Sequence, residues 1–131
     1  KVNEVYNAWD VHAGATGGEG EGLCISESMA TGTPPIYTDY TTPSELIIEG
    51  EPSPRGQVVD YVTLFWDQLS VAAVQRSLVD INKMAKAFER YYNDREMMIK
   101  HGENGHEWVN KNLPWTKIQK DWQNQVKDIL S

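Results

Sequence analysis

Residues 16–35 read TGGEGEGLCISESMATGTPP, and the rest of the chain is interpreted around them. Gly17, Gly18, Gly20 and Gly22 make a loop with almost no side-chain bulk. Leu23–Ala30 then reads as a short helix, stopped by Gly32 and Pro34. Glu19 lies in the loop and Glu27 inside the helix. The two carboxylates thus flank a bare helix N-terminus, whose free N–H groups and partial positive charge suit a phosphate. Carboxylates suit hydroxyls, because each can accept two charge-assisted hydrogen bonds. The pattern fits a ligand with a diphosphate in the middle and a polyol at each end.

Working outward, residues 2–9 read as the end of a helix, with Val2, Val5, Tyr6 and Trp9 on one face. Residues 11–15 form a short strand and residues 36–38 another. Two strands joined by a helix imply a parallel βαβ unit with the glycine loop at the carboxyl end of its first strand. Thr42, Pro43 and Glu45 mark a helix start, with Thr42 as N-cap. Residues 50–56 read as a loop, residues 58–66 as extended without an assignable partner, and residues 69–76 fit neither pattern. Asp80 begins a long helix with Ile81, Met84, Ala85, Phe88 and Tyr92 on one face. Asn93 and Glu96 cap a second helix ending near Gly102, and a third covers residues 103–112. After Pro114, Thr116 and Gln119 form a capping box for a last helix, whose stripe is Ile118, Trp122, Val126 and Ile129 or Leu130. The expected fold class is α/β: a partial Rossmann-like parallel sheet with flanking helices and a helical C-terminal tail.

The 131 residues make one domain, large enough for its own core. A net charge of −7 argues against nucleic acid as a partner. No apolar run approaches the ~20 residues of a transmembrane span. The first residues lack a signal-peptide pattern, and the single cysteine, Cys24, fits a reducing compartment. The expectation is a cytoplasmic protein, with room for peripheral attachment at a membrane. His12, His101 and His106 do not have the spacing of a metal site. His101 and His106 fall near the expected helix break and are read as solvated, whereas His12 has the option of facing the cleft. Trp9, Trp108, Trp115 and Trp122 fall at helical positions, as core or interface anchors. The glycines match neither the dinucleotide nor the triphosphate-binding loop pattern.

The central stretch resembles the donor-binding half of the group 1 family of retaining GT-B glycosyltransferases. The resemblance rests on Tyr6-Asn7-Ala8-Trp9-Asp10, then Glu19-Gly20-Glu21-Gly22-Leu23, then Glu27-Ser28-Met29-Ala30-Thr31-Gly32-Thr33-Pro34. Pro43-Ser44-Glu45-Leu46-Ile47 and Trp115-Thr116-Lys117-Ile118 resemble later helices of that family, and the likeness is weak across residues 51–77. Glu21 stands where the family usually has Phe, Ser28 where it has Ala, and Pro35 where it has Val. An anion beside a diphosphate is unfavourable, so Glu21 is expected to point outward and to contribute its backbone alone.

The resemblance implies a nucleotide-sugar ligand and sugar transfer with retention. It places Glu19 at the hydroxyls of the reacting sugar, which makes it the catalytic candidate, and Glu27 at the ribose hydroxyls. Backbone N–H groups of Gly20, Glu21, Gly22 and Leu23 would face sugar and diphosphate. It implies no cofactor and no required metal. No nucleophile or general base is assigned. Residues 1–131 are expected to be the donor-binding part only, with the acceptor domain absent from the chain and supplied by a missing N-terminal domain or a partner chain. The isolated chain is then expected to be inactive, with exposed apolar surface around Trp122 that favours a homo-oligomer. Basic side chains that the family brings to the diphosphate come from a segment preceding the Tyr6 helix. Lys1 is the only basic residue before Arg55. That scarcity favours the alternative, a non-catalytic nucleotide-sugar-binding or interaction domain that retains the fold.

Overall fold

A computed structural model describes residues 1–47, 53–68 and 73–130. Its framework is a three-stranded parallel sheet in the order β1 (His12–Gly14), β2 (Pro35–Thr38), β3 (Gln57–Val59). Helix α2 (Leu23–Ala30) connects β1 to β2 and α3 (Thr42–Ile47) precedes β3, so the expected βαβ unit is present. The register places Gly14 beside Tyr37 and Tyr37 beside Val58. β2 is central and buried along its whole length.

Alternation along the strands separates two cores. On one face Tyr37 packs with Ile25 and Met29 of α2 and Ile47 of α3. On the other, Ile36 and Val59 pack with Ala87, Tyr91 and Met98. Ala87 and Tyr91 belong to α4 (Ile81–Asn93) and Met98 to α5 (Arg95–Asn112). The chain opens on a short helix, α1 (Val2–Tyr6), of which only Tyr6 is buried.

Several helical expectations are corrected. Asp80 does start α4, accepting from the amides of Asn82 and Lys83. Of the expected stripe, however, only Met84 packs on the core, half-buried; the buried residues are Ala87 and Tyr91, and Ile81, Ala85, Phe88 and Tyr92 are left exposed. The expected break at residues 102–105 is absent. Asp94, rather than Asn93, caps α5, which runs unbroken through Gly102 and Gly105. These glycines face α2 and its exit. A Cβ at Gly102 would lie 2.2 Å from the Gly32 carbonyl oxygen, and one at Gly105 3.0 Å from Met29. Here glycine allows two elements to touch instead of ending one. His101 is consequently half-buried, with its Nδ1 2.8 Å from the Tyr91 hydroxyl, and His106 Nδ1 meets the Ala30 carbonyl at 2.8 Å.

The last helix, α6 (Trp115–Leu130), starts directly after Pro114, so Thr116 lies within its first turn and is not its cap. None of its described residues is buried, and Trp115 and Trp122 are exposed. Trp9 is also exposed, whereas Trp108 is half-buried beneath the Arg55 guanidinium, 4.5 Å from the ring centroid. No helix among the described residues is long and apolar enough to cross a membrane.

The extended stretch that lacked a partner divides in two. Its start is β3, and β4 (Tyr61–Asp67) pairs antiparallel with β5 (Val74–Val79) as a separate hairpin. Residues 69–72, within the ambiguous stretch 69–76, and residues 50–52 of the expected loop lie outside the described residues. Because β3 runs parallel to β1, the hairpin that follows it rises from the same carboxyl end of the sheet as the glycine loop.

Candidate functional site

The glycine loop leaves β1 under the Tyr37 ring. A Cβ at Gly14 would lie 2.2 Å from Tyr37 Cε1, so only glycine lets that ring lie flat on the strand. Further along, Gly22 adopts a left-handed backbone (φ 70°) and opens α2 with its carbonyl, which accepts from Ile25 and Ser26. No side chain caps this helix. Among the described residues, the amides of Gly20, Glu21, Gly22, Leu23 and Cys24 have no protein partner. An uncapped helix start with several open donors favours an anion.

Two threonines hold the loop in place. The Glu19 amide donates to Thr41 Oγ1 at 3.0 Å, and Thr42 Oγ1 donates to the carbonyls of Glu19 (3.0 Å) and Gly20 (2.8 Å). Thr42 was expected to cap α3. It is instead the first helical residue, and its hydroxyl ties the next connection to the glycine loop. Thr41 adopts a left-handed backbone (φ 62°), which a β-branched residue rarely does. Strain of this kind persists where surrounding contacts over-determine the conformation.

Glu27 is exposed on α2, and its Oε2 accepts from the Tyr6 hydroxyl at 3.0 Å. Tyr6 itself is buried, with its ring edge-on to both Trp9 and His12. His12 stacks on Trp9 and sits 3.3 Å from the Tyr37 hydroxyl through Nε2. Glu19 is half-buried in the loop. Burial, then the nearby Cys24 and Glu19, push the Tyr37 hydroxyl well above the usual tyrosine range. Burial, then Cys24 and Glu27, do the same to Tyr6. Glu27 thus acts on Tyr6 and His12, and Glu19 on Tyr37, whose rings are linked edge-on through His12. Burial holds the His12 imidazole below its ordinary value, opposed by the charge of Glu27. This histidine stays neutral at physiological pH, and its Nδ1 is buried without a partner among the described residues.

Gly20, Glu21 and Leu23 are exposed. No group of acidic, histidine and cysteine side chains among the described residues is arranged to hold a metal. A cavity of about 670 Å³ lies elsewhere, between the end of α1 and helices α4 and α5, lined by Trp9, Val11, Phe88 and Tyr92. Sequence reasoning did not find Tyr6 as the partner of Glu27, or the Thr41 and Thr42 straps. Tyr6 was visible as part of the upstream motif, but nothing local to Glu27 points 21 residues back to it.

The hairpin is the second feature the sequence did not reveal. Its β5 edge joins the loop: Ser77 donates its amide to the Gly17 carbonyl at 3.1 Å and its hydroxyl to that of Thr16. Tyr40 donates to the Gln75 carbonyl and packs edge-on against Tyr61.

No protein-family model matches the chain, and no curated protein matches it. Among solved structures, it is similar to a sucrose-phosphate synthase from Thermosynechococcus elongatus, with a TM-score of 0.74 and 25% identity. The likeness covers 96% of this chain and 27% of that one, so this chain spans about a quarter of the synthase. The chain therefore has the mixed α/β fold of part of a GT-B glycosyltransferase, as the motif around Glu19 and Glu27 resembles.

Proposed function

We propose that the glycine loop and the start of α2 bind a nucleotide-sugar, and that the chain is the donor-binding part of a retaining glycosyltransferase. The observation that carries this reading is the uncapped helix start with open amides, with Glu19 in the loop before it and Glu27 within the same helix. Glu27, steadied by Tyr6, takes the ribose hydroxyls. Glu19 takes hydroxyls of the transferred sugar and stands at the reacting centre. The amides of Gly20, Glu21, Gly22 and Leu23 receive sugar and diphosphate oxygens.

In such a reaction the glycosidic bond to the diphosphate breaks and negative charge grows on the leaving group. Donors fixed in advance at the helix start stabilise that charge without reorganising. The Thr41 and Thr42 straps supply this fixity by holding the loop backbone. Charge neutralisation then falls to backbone dipoles and side-chain cations, with no metal or cofactor assigned. The acceptor enters from the opposite side of the cleft and is held mainly by a domain other than this one.

Acidic crowding favours a second reading, a non-catalytic binding domain of the same fold. Glu21 lies within the loop, and no basic residue falls between Lys1 and Arg55. Both readings predict binding, and transfer separates them. Calorimetric titration with a panel of nucleotide-sugars should find one ligand, and Glu27→Ala should weaken it by about 1.5–3 kcal/mol, the range for a hydrogen bond to a charged group. Unchanged affinity would mean that Glu27 does not hold the ribose. Sugar transfer by the intact protein, followed by mass spectrometry, would retire the non-catalytic reading.

A further inference from the structure

The loop and the start of α2 carry Glu19, Glu21 and Glu27 and no cation of their own, yet the ligand assigned to them carries phosphate. The hairpin brings a cation to this place. Arg76 lies on β5 between Gln75 and Ser77, the two residues whose backbone groups bond Tyr40 and Gly17. Its stem lies across Gly17: a Cβ there would sit 3.2 Å from Arg76 Cβ and 3.4 Å from Arg76 Cδ. The guanidinium is anchored through Nε to Asp67 Oδ2, across the hairpin, at 2.7 Å. The Arg76 side chain is 38% exposed, so it is not sealed into the hairpin by that bond. A planar guanidinium anchored through one nitrogen retains a fork suited to a phosphate oxyanion.

We propose that Arg76 is a ligand-binding residue of the glycine-loop site and takes a phosphate group of the molecule bound there. The inference rests on the donor-site reading above. It gives the hairpin a purpose: the hairpin carries into the site the positive charge that the first part of the sequence lacks. It also accounts for the small residue at position 17, because a Cβ there would press on the arginine stem by a few tenths of an ångström. The phosphate comes either from the diphosphate of the nucleotide-sugar or from a phosphorylated sugar acceptor.

The test is a set of titrations on the intact chain, by calorimetry or ligand-detected NMR. The probes are nucleoside diphosphates beside their nucleosides, and glucose-6-phosphate beside glucose. Arg76→Gln should weaken one of the phosphorylated probes roughly five- to tenfold, less than a fully buried charged contact because the site is part-exposed. The unphosphorylated partner should be unaffected, and the probe that loses affinity identifies the source of the phosphate. Asp67→Asn serves as the control for folding. Removing that carboxylate frees the guanidinium of a competing anion, so affinity for the same probe should hold or rise. If both variants weaken phosphorylated and unphosphorylated probes alike, Arg76 only pins the hairpin and the proposal is overturned. If Arg76→Gln changes nothing while Glu27→Ala weakens the nucleoside diphosphate, the proposal fails and the donor site stands. If wild type binds none of the probes, the donor-site reading fails and takes this proposal with it.

Discussion

Replacing Gly102 by alanine should destabilise the protein, although alanine is the better helix former. In an exposed helix interior the exchange would stabilise by about 0.8–1 kcal/mol. Here the added Cβ would lie 2.2 Å from the Gly32 carbonyl oxygen and 3.4 Å from Pro34 Cδ. The obstacle at the shorter distance is backbone, held in a left-handed turn (φ 79°) at the exit of α2, and it cannot rotate away. Restoring ordinary contact, which begins near 3.4 Å, requires α5 to retreat by about 1.2 Å, the difference of those two distances. That retreat lifts Met98 from one core and loosens the contact of Gly105 with Met29 in the other. Overpacking of this kind costs about 1–3 kcal/mol, and the backbone contact puts it at the upper end. Setting the helix gain against it leaves a net loss of about 1–2 kcal/mol. Urea unfolding followed by circular dichroism would show a lower midpoint at unchanged slope. A neutral or stabilised Gly102→Ala protein would refute the close approach of α5 to α2.

Two further outcomes follow from single contacts. Tyr6→Phe keeps the ring against Trp9 and His12 but removes the donor to Glu27, so nucleotide affinity should fall by about 0.5–1.5 kcal/mol with little change in melting temperature. Equal affinity in calorimetry would show that Tyr6 does not orient Glu27. His101 is held below its ordinary value of 6.5 by burial, with Asp94 opposing and Arg90 assisting. Around 6.5 and below, the unfolded chain binds more protons than the folded one, so stability should fall as pH drops from about 7 through 6.5. His101→Gln should flatten the dependence of melting temperature on pH and leave the share that His12 contributes in the same direction. An unchanged slope would exclude His101.

The part of the fold that could be read from sequence is the part that glycine and proline punctuate. Leu23–Ala30 has a glycine loop before it and Gly32 and Pro34 after it, and the structure places α2 at those residues. The face of α4 was not readable, because two stripes compete there. Ile81, Phe88 and Tyr92 outweigh Ala87 and Tyr91 in hydrophobicity, yet Ala87 and Tyr91 are the residues that pack against Ile36 and Val59, with Met84 beside them. Gly102 and Gly105 read as a helix break because glycine favours chain reversal, and their actual use needs partners far back in sequence, Gly32 and Met29, just as His106 bonds to Ala30 across 76 positions. The site divides in the same way. The glycine loop, Glu19 and Glu27 share one local pattern, whereas Tyr6, Thr42, Tyr37 and the hairpin reach it through strand order, which no single segment encodes.

The most direct measurement is a crystal structure of the protein with the nucleoside diphosphate or nucleotide-sugar that binds best in titration. Ribose hydroxyls should lie on the Glu27 carboxylate and diphosphate oxygens on the amides at the start of α2, with Glu19 beside the sugar. A nucleotide seated in the cavity between α1 and helices α4 and α5, with Glu27 still bonded only to Tyr6, would contradict that arrangement.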